Sequence, residues 1–201
     1  MDKEYWEKFY EKHNKPFKPS PFSHFVCKYM DEKDSVIDLG CGNGRDSLLL
    51  ASYFKVFAID QSKNAVDILN DMIHPNLDAM CLKFGDLNDY HKFDHAYSRF
   101  TLHSINKQSQ DELFSWVRQN ISKYFFIEVR SDEDSLVGKE TDHYRRFSNF
   151  HELIIELIEW GFELIYCEKS KGFSQYRPEF GVDYNEDDPT LIRIVCKNKY
   201  D

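Results

Sequence analysis

One turn constrains this chain more than any other feature. The β-rich run Ser35–Leu39 (SVIDL) passes directly into Gly40-Cys41-Gly42-Asn43-Gly44, and an acid, Asp38, stands just ahead of it. Glycines at such a place allow positive φ and let the backbone approach a ligand closely, while a helix beginning near Arg45 would offer free N–H groups. The spacing is G-x-G-x-G. A nicotinamide or flavin site would need G-x-G-x-x-G/A, with a small residue at position 45 where the chain has Arg45. A P-loop would need Gly-Lys-Ser/Thr, and none follows.

Around the turn, β-rich apolar runs alternate with segments of helical period, which predicts an α/β sheet. The runs are Ser35–Leu39, Lys55–Ile59, Ala79–Phe84, Phe93–Ser98 and Tyr124–Val129, the last reading as a central strand buried on both faces. Glu163–Cys167 and Leu191–Cys196 follow without a helical period between them, so they should pair antiparallel. Ser62 should cap a helix carrying Val66, Leu69, Met72 and Ile73, stopped by Pro75. Ser109 and Glu112 read as a capping box, and Phe150–Ile158 as a helix ended by Gly161. With no repeat and no linker, one domain over 1–201 suffices. Its appendage over 1–30 begins with a helix carrying Tyr5, Trp6, Phe9 and Tyr10 on one face, ended by Asn14 and Pro16, and 31–201 forms the core.

Two further acids sit at strand ends. Asp60 closes the second run, where a carboxylate can take both ribose hydroxyls. Asp86 follows the third in Gly85-Asp86-Leu87, placed to meet an adenine amino group. Three acids at the ends of three successive strands share the rim on which open α/β sheets bind ligands.

With these residues in place, the chain resembles the class I S-adenosylmethionine-dependent methyltransferases. VIDLGCGNG matches the first motif, Asp60 the ribose position, GDL the adenine position, and YSRFTLHSI the motif after the fourth strand. The resemblance implies a Rossmann-like sheet of order 3-2-1-4-5-7-6, strand 7 antiparallel, with helices on both faces. It implies S-adenosyl-L-methionine as cofactor, held by Asp38, Gly40, Gly42, Gly44, Arg45, Asp60, Gln61, Asp86, Leu87 and Ser98. It favours a lid role for the aromatic helix, with Pro19-Ser20-Pro21-Phe22 as hinge, over simple packing on the sheet rim. A narrower set (PSPF, Gly42–Ser47, Ser98–His103 and His143–Phe147) is similar to small bacterial methyltransferases of capsule and surface-polysaccharide gene clusters, including those that methylate phosphoramidate groups.

Methyl transfer is an in-line displacement, so alignment and desolvation can supply much of the acceleration. A hydroxyl acceptor gains from a base, and His103 is the candidate; otherwise it is a loop histidine bonded to backbone. Glu128, Arg130, His143, Tyr144, Arg145 and Arg146 form the expected acceptor-binding set, since arginine suits bidentate binding of phosphate or carboxylate. The alternative for the arginines is salt bridging to Asp132, Glu133 and Asp134. His91 and His95 lack helical spacing and a third ligand, so no metal is expected.

The formal net charge of −9 argues against nucleic acid or an anionic membrane as partner. Five cysteines with no C-x-x-C pair read as reduced thiols, and neither a signal peptide nor a membrane span is apparent, so the cytoplasm is expected. The leading expectation is an O-methyltransferase acting on a small, anionic, phosphorylated or nucleotide-linked precursor of bacterial surface polysaccharide. An N- or thiol methyltransferase, or a non-catalytic protein that binds the cofactor, are the alternatives.

Overall fold

Seven runs that favour extended backbone become seven strands of one sheet. The computed structural model describes residues 2–90, 92–140, 143–175 and 188–199. The strands are β1 Ser35–Leu39, β2 Lys55–Asp60, β3 Leu77–Cys81, β4 His95–Arg99, β5 Tyr124–Arg130, β6 Phe162–Ser170 and β7 Leu191–Asn198. Their order is 3-2-1-4-5-7-6. The first five run parallel, and β7 pairs antiparallel with both β5 and β6. Fold class and strand order are therefore as expected.

The pleat sends alternate residues to two cores. Ile37, Leu39, Ile59 and Ile127 pack with α5 (Lys107–Asn120) and α6 (Phe150–Glu159) on one face. Val36, Val56, Ala58 and Phe126 pack with α2 (Pro21–Val26), α3 (Ser47–Ala51) and α4 (Lys63–Asp71) on the other. The aromatic helix α1 (Lys3–Lys12) buries no residue fully and lies outside both cores.

Element boundaries differ from expectation where local chemistry competes. The cap of α5 is Asn106, whose side chain accepts from the Ser109 amide at 2.9 Å, so Ser109 and Glu112 lie inside the helix rather than at its cap. Helix α4 stops at Asp71, before Pro75: Ile73 takes φ 40° and is 89% exposed, outside the apolar stripe. β3 ends at Cys81, and Phe84–Asp89 coils into a 3-10 turn. β4 begins at His95 because Phe93 makes an isolated bridge to Ile121 instead. Helix α3 starts at Ser47, two residues past Arg45. Among the described residues no helix is long and apolar enough to cross a membrane.

Candidate active site

The C-terminal ends of β1, β2 and β4 open into a cavity of about 260 Å³ roofed by Trp6, Phe9, Tyr10 and Phe17. Its floor is the glycine turn, folded back when the amides of Gly40 and Cys41 both donate to the Ile59 carbonyl at 2.9 Å. Gly42 has φ 55°, and a Cβ there would run into the Tyr10 hydroxyl, so this position admits the roof helix only as glycine. Gly44 faces Leu69 of α4 and does not line the cavity.

Asp60 accepts from the Gly42 amide and the Ser62 amide, each at 2.9 Å, tying the turn to the start of α4. Burial raises its pKa. Asp38 is more deeply buried; desolvation first, then Asp46 and Asp60, push its carboxyl up to about 8 against the pull of the Ser47 hydroxyl at 2.6 Å. Leu82, Lys83 and Phe84 complete the wall beyond Gln61. Asp86 is exposed and Leu87 packs in the core, so neither stands on that wall.

The cavity also takes Tyr97 and Arg99 of β4 and, besides His103, Phe100, Thr101 and Ser104 of the turn after it, none of which the sequence singled out. Ser98 points away from the cavity, its buried Oγ without a partner, whereas Tyr97 and Arg99 face it. The two-residue alternation of a strand was the available signal. Tyr97 and Ser20 both hold Asp46: the Tyr97 hydroxyl at 2.7 Å, the Ser20 amide at 2.6 Å and hydroxyl at 2.9 Å. The Pro19–Phe22 segment is thus fastened to the core at Ser20 and by Phe22, which is fully buried. The connection ahead of it is pinned as well. Asn43 donates to the Lys15 carbonyl at 2.7 Å, and Arg45 donates to the Lys18 carbonyl at 3.0 Å.

The opposite wall is cationic. Arg99, Arg130 and Arg145 line it around His103, which is only 4% exposed and whose Nδ1 has no hydrogen-bond partner. Burial first, then Arg145, Arg130, His143 and Arg99, drive the His103 pKa well below its ordinary value. The ring is therefore neutral at physiological pH. Phe100, with φ 61°, wedges its ring between the guanidinium groups of Arg99 at 4.0 Å and Arg130 at 5.6 Å.

The other expected acceptor residues stand behind this wall. Glu128 is buried between Arg99 at 2.8 Å and Arg193 at 2.6 Å. Arg130 does meet Asp134, at 3.1 Å to both oxygens, while still lining the cavity. Arg146 turns inward, its amide on the His103 carbonyl at 2.7 Å and its side chain on Leu102 and Gln110. Tyr144 is exposed, and His143 stacks on Tyr5. His95 is buried against Asp34 at 2.8 Å; His91 lies outside the described residues. Among the described residues no group of three His, Cys, Asp or Glu could hold a metal.

Residues 36–123 match the family model described as Methyltransferase domain. Among solved structures, an S-adenosylmethionine-dependent methyltransferase from Methanosarcina mazei is similar at 18% identity and TM-score 0.70, covering 87% of this chain and 96% of its own. A DhpI–SAH complex is similar at 14% and 0.67, covering 90% and 84%. The [4+2]-cyclase SpnF is similar at 16% and 0.70, covering 88% and 79%. No curated protein sequence matches the chain.

Residues 36–123 thus carry a methyltransferase-domain match, and the strand order around them is that of a Rossmann-like methyltransferase fold. The domain match makes S-adenosyl-L-methionine the group to test against the cavity. The cavity fits that group: a glycine floor, a half-buried carboxylate at the end of β2, and apolar Leu82 and Phe84 beside it. The similarity to a cyclase shows that the fold alone does not fix the chemistry.

Proposed function

We propose that this enzyme transfers a methyl group to an oxygen of a small, anionic acceptor, held between the aromatic roof and the arginine wall. The observation that carries the reading is the placement of Arg99, Arg130 and Arg145 around a buried, neutral His103 on the cavity wall. In a protein of net charge −9, cationic side chains concentrated at one cavity select for negative charge.

The cofactor, when bound, supplies an electrophilic methyl on a sulfonium centre. Asp60 and Gln61 hold it at the β2 end, the Gly40–Gly42 backbone approaches it from below, and Trp6, Phe9 and Tyr10 exclude water from above. In this reading Arg130 and Arg145 align the acceptor by charge and planar geometry. A phosphoryl or phosphoramidate oxygen that is already anionic gives up no proton, so His103 acts as a neutral hydrogen-bonding wall rather than a strong base. The PSPF, GNGRDS, SRFTLH and HYRRF stretches support a surface-polysaccharide precursor as the carrier of that group. Helix α1 with its connection to Ser20 serves as the lid, while 31–201 holds the chemistry.

The test is methyl transfer from labelled cofactor to a panel containing a sugar phosphate, a phosphoramidate, a neutral sugar, an amine and a thiol. Labelling of the phosphorylated members, lost in Arg145→Ala with cofactor binding intact, is the expected result. Labelling confined to the amine or thiol would replace oxygen as the acceptor atom. Tight cofactor binding with no transfer to any member would favour a non-catalytic role.

A further inference from the structure

Helix α1 touches both halves of the site. Towards the cofactor side, the Tyr10 hydroxyl fills the space beside Gly42, and Glu7 accepts from the Ser62 hydroxyl and the Lys63 and Asn64 amides. Towards the arginine wall, Tyr5 stacks on His143 with ring centroids 4.3 Å apart and planes at 23°, and Trp6 meets the same ring edge-on at 5.0 Å. The imidazole is thus gripped by two aromatic residues one position apart.

His143 in turn meets Arg145, with Nη2 of the guanidinium 3.2 Å from Nε2 of the ring. Arginine has no acceptor, so Arg145 donates and Nε2 of His143 carries the lone pair. The next residue is anchored as well, the Arg146 amide donating to the His103 carbonyl at 2.7 Å. One short segment therefore joins the roof helix, the cavity arginine and the buried histidine. Among the described residues its regular pairing is the bridge between Ser131 and Ser148. Segments that lack a ladder take their order from side-chain contacts, and here the α1 rings supply them.

We propose that His143 is a positioning residue: gripped by Tyr5 and Trp6 of the roof helix, it fixes Arg145 on the cavity wall, so the acceptor site is complete only while α1 is docked. This rests on the reading of Arg145 as part of an anion site. It also explains the place of His143 itself, which serves the acceptor through Arg145 rather than by touching it. The consequence is coupling: a ligand that favours the docked helix from the cofactor side also favours anion binding, and the reverse holds equally.

Two measurements on the full chain test it. Hydrogen exchange across 143–148 reads the grip, and the affinity for the demethylated cofactor with and without inorganic phosphate reads the anion site. Tyr5→Ala and His143→Ala should each speed exchange of this segment about tenfold, with α5 unchanged as internal control. His143→Phe keeps the stack but offers Arg145 no acceptor. It should exchange like the wild type yet lose the phosphate effect, as Arg145→Ala does. A purely structural histidine would not separate the two readouts. Unchanged exchange in both Tyr5→Ala and His143→Ala overturns the positioning role. Faster exchange in both, with a wild-type cofactor affinity indifferent to phosphate, overturns the anion site instead.

Discussion

Glu7 on the first helix accepts the amide of Lys63 at 2.9 Å, 56 positions further along the chain, and so caps α4 from outside. The same carboxylate takes the Ser62 hydroxyl at 2.8 Å and the Asn64 amide at 3.1 Å. Helix α4 starts just beyond Asp60, so the roof is latched beside an acid that lines the cavity. Its carboxylate also meets the positive end of the helix dipole.

A helix cap is worth about 0.5–2 kcal/mol. Glu7→Ala should therefore speed release of the demethylated cofactor several-fold, measured by stopped-flow Trp fluorescence. Burial opposes ionisation of Glu7, but its bonds from Asn64, Lys63 and Ser62 outweigh that, and its pKa is lowered. An acid with a lowered folded pKa stabilises above its ordinary value and loses that contribution as pH falls through the folded one. Release should thus quicken below about pH 4.5 in the wild type and not in Glu7→Ala, and an identical acid response in both would place the titrating group elsewhere.

Asp60→Ala removes the carboxylate proposed to take the ribose and frees the Gly42 and Ser62 amides. Charge-assisted bonds of this kind contribute about 1.5–3 kcal/mol each. Calorimetric affinity for S-adenosylmethionine should fall at least about tenfold, at about 1.4 kcal/mol per decade. A folded variant with wild-type affinity would mean the cofactor is held without this acid.

Gly42→Ala places a methyl against the Tyr10 hydroxyl at a position with φ 55°. Gly172, with φ 83° and nothing within 4 Å, is the control for backbone strain alone. Both alanines should lower stability, by about 1 kcal/mol or more for strain. Gly42→Ala should cost more, and Tyr10→Phe in its background should recover part of the difference in thermal melting. Equal losses at the two glycines would show that Tyr10 yields freely.

Asp38, pushed up to about 8 by burial and by Asp46 and Asp60, keeps its proton in the folded ligand-free protein at neutral pH. A raised folded pKa gives stability that is fully present below the ordinary value near 3.8 and is lost as pH rises through the folded value. Melting temperature should therefore decline between about pH 4 and pH 8. Asp38→Asn keeps the Ser47 contact without the ionisation and should flatten that decline; an unchanged slope would assign it to other groups.

His103, neutral among arginines, should add no step to the pH–rate profile near 6.5. For an acceptor that is already anionic, His103→Gln should cost less than about tenfold in kcat, against about 10²–10⁴ for removal of a general base. A loss in the larger range, with a rate rising through a histidine-like pKa in the wild type, would restore His103 as base.

Much of the fold was legible because its signals are local. Strands β1 and β2 and helix α6 carry their periodicity and their stops within a few residues, and G-x-G-x-G after a strand leaves few alternatives. Boundaries drifted where two local signals competed, as at Asn106 against Ser109 and at Phe93 against His95. Which arginines reach the cavity was not legible. Arg145 and Arg146 are neighbours with the same chemistry, yet one lines the cavity and the other bonds Gln110 in the interior.

The sequence by itself determined the parallel sheet, the glycine floor and the acid at the end of β2, since each follows from short-range patterning and steric rules acting on a few consecutive residues. Only the tertiary structure decided that Arg99 joins Arg130 and Arg145 around His103, that Glu128 stands behind Arg99 as its counter-charge, and that Glu7 and Tyr5 tie one roof helix to both halves of the site. Those relations depend on direction: a strand alternates its side chains between two faces, a helix turns its own through 100° per residue, and which of them converge is fixed only when elements far apart in the chain are packed.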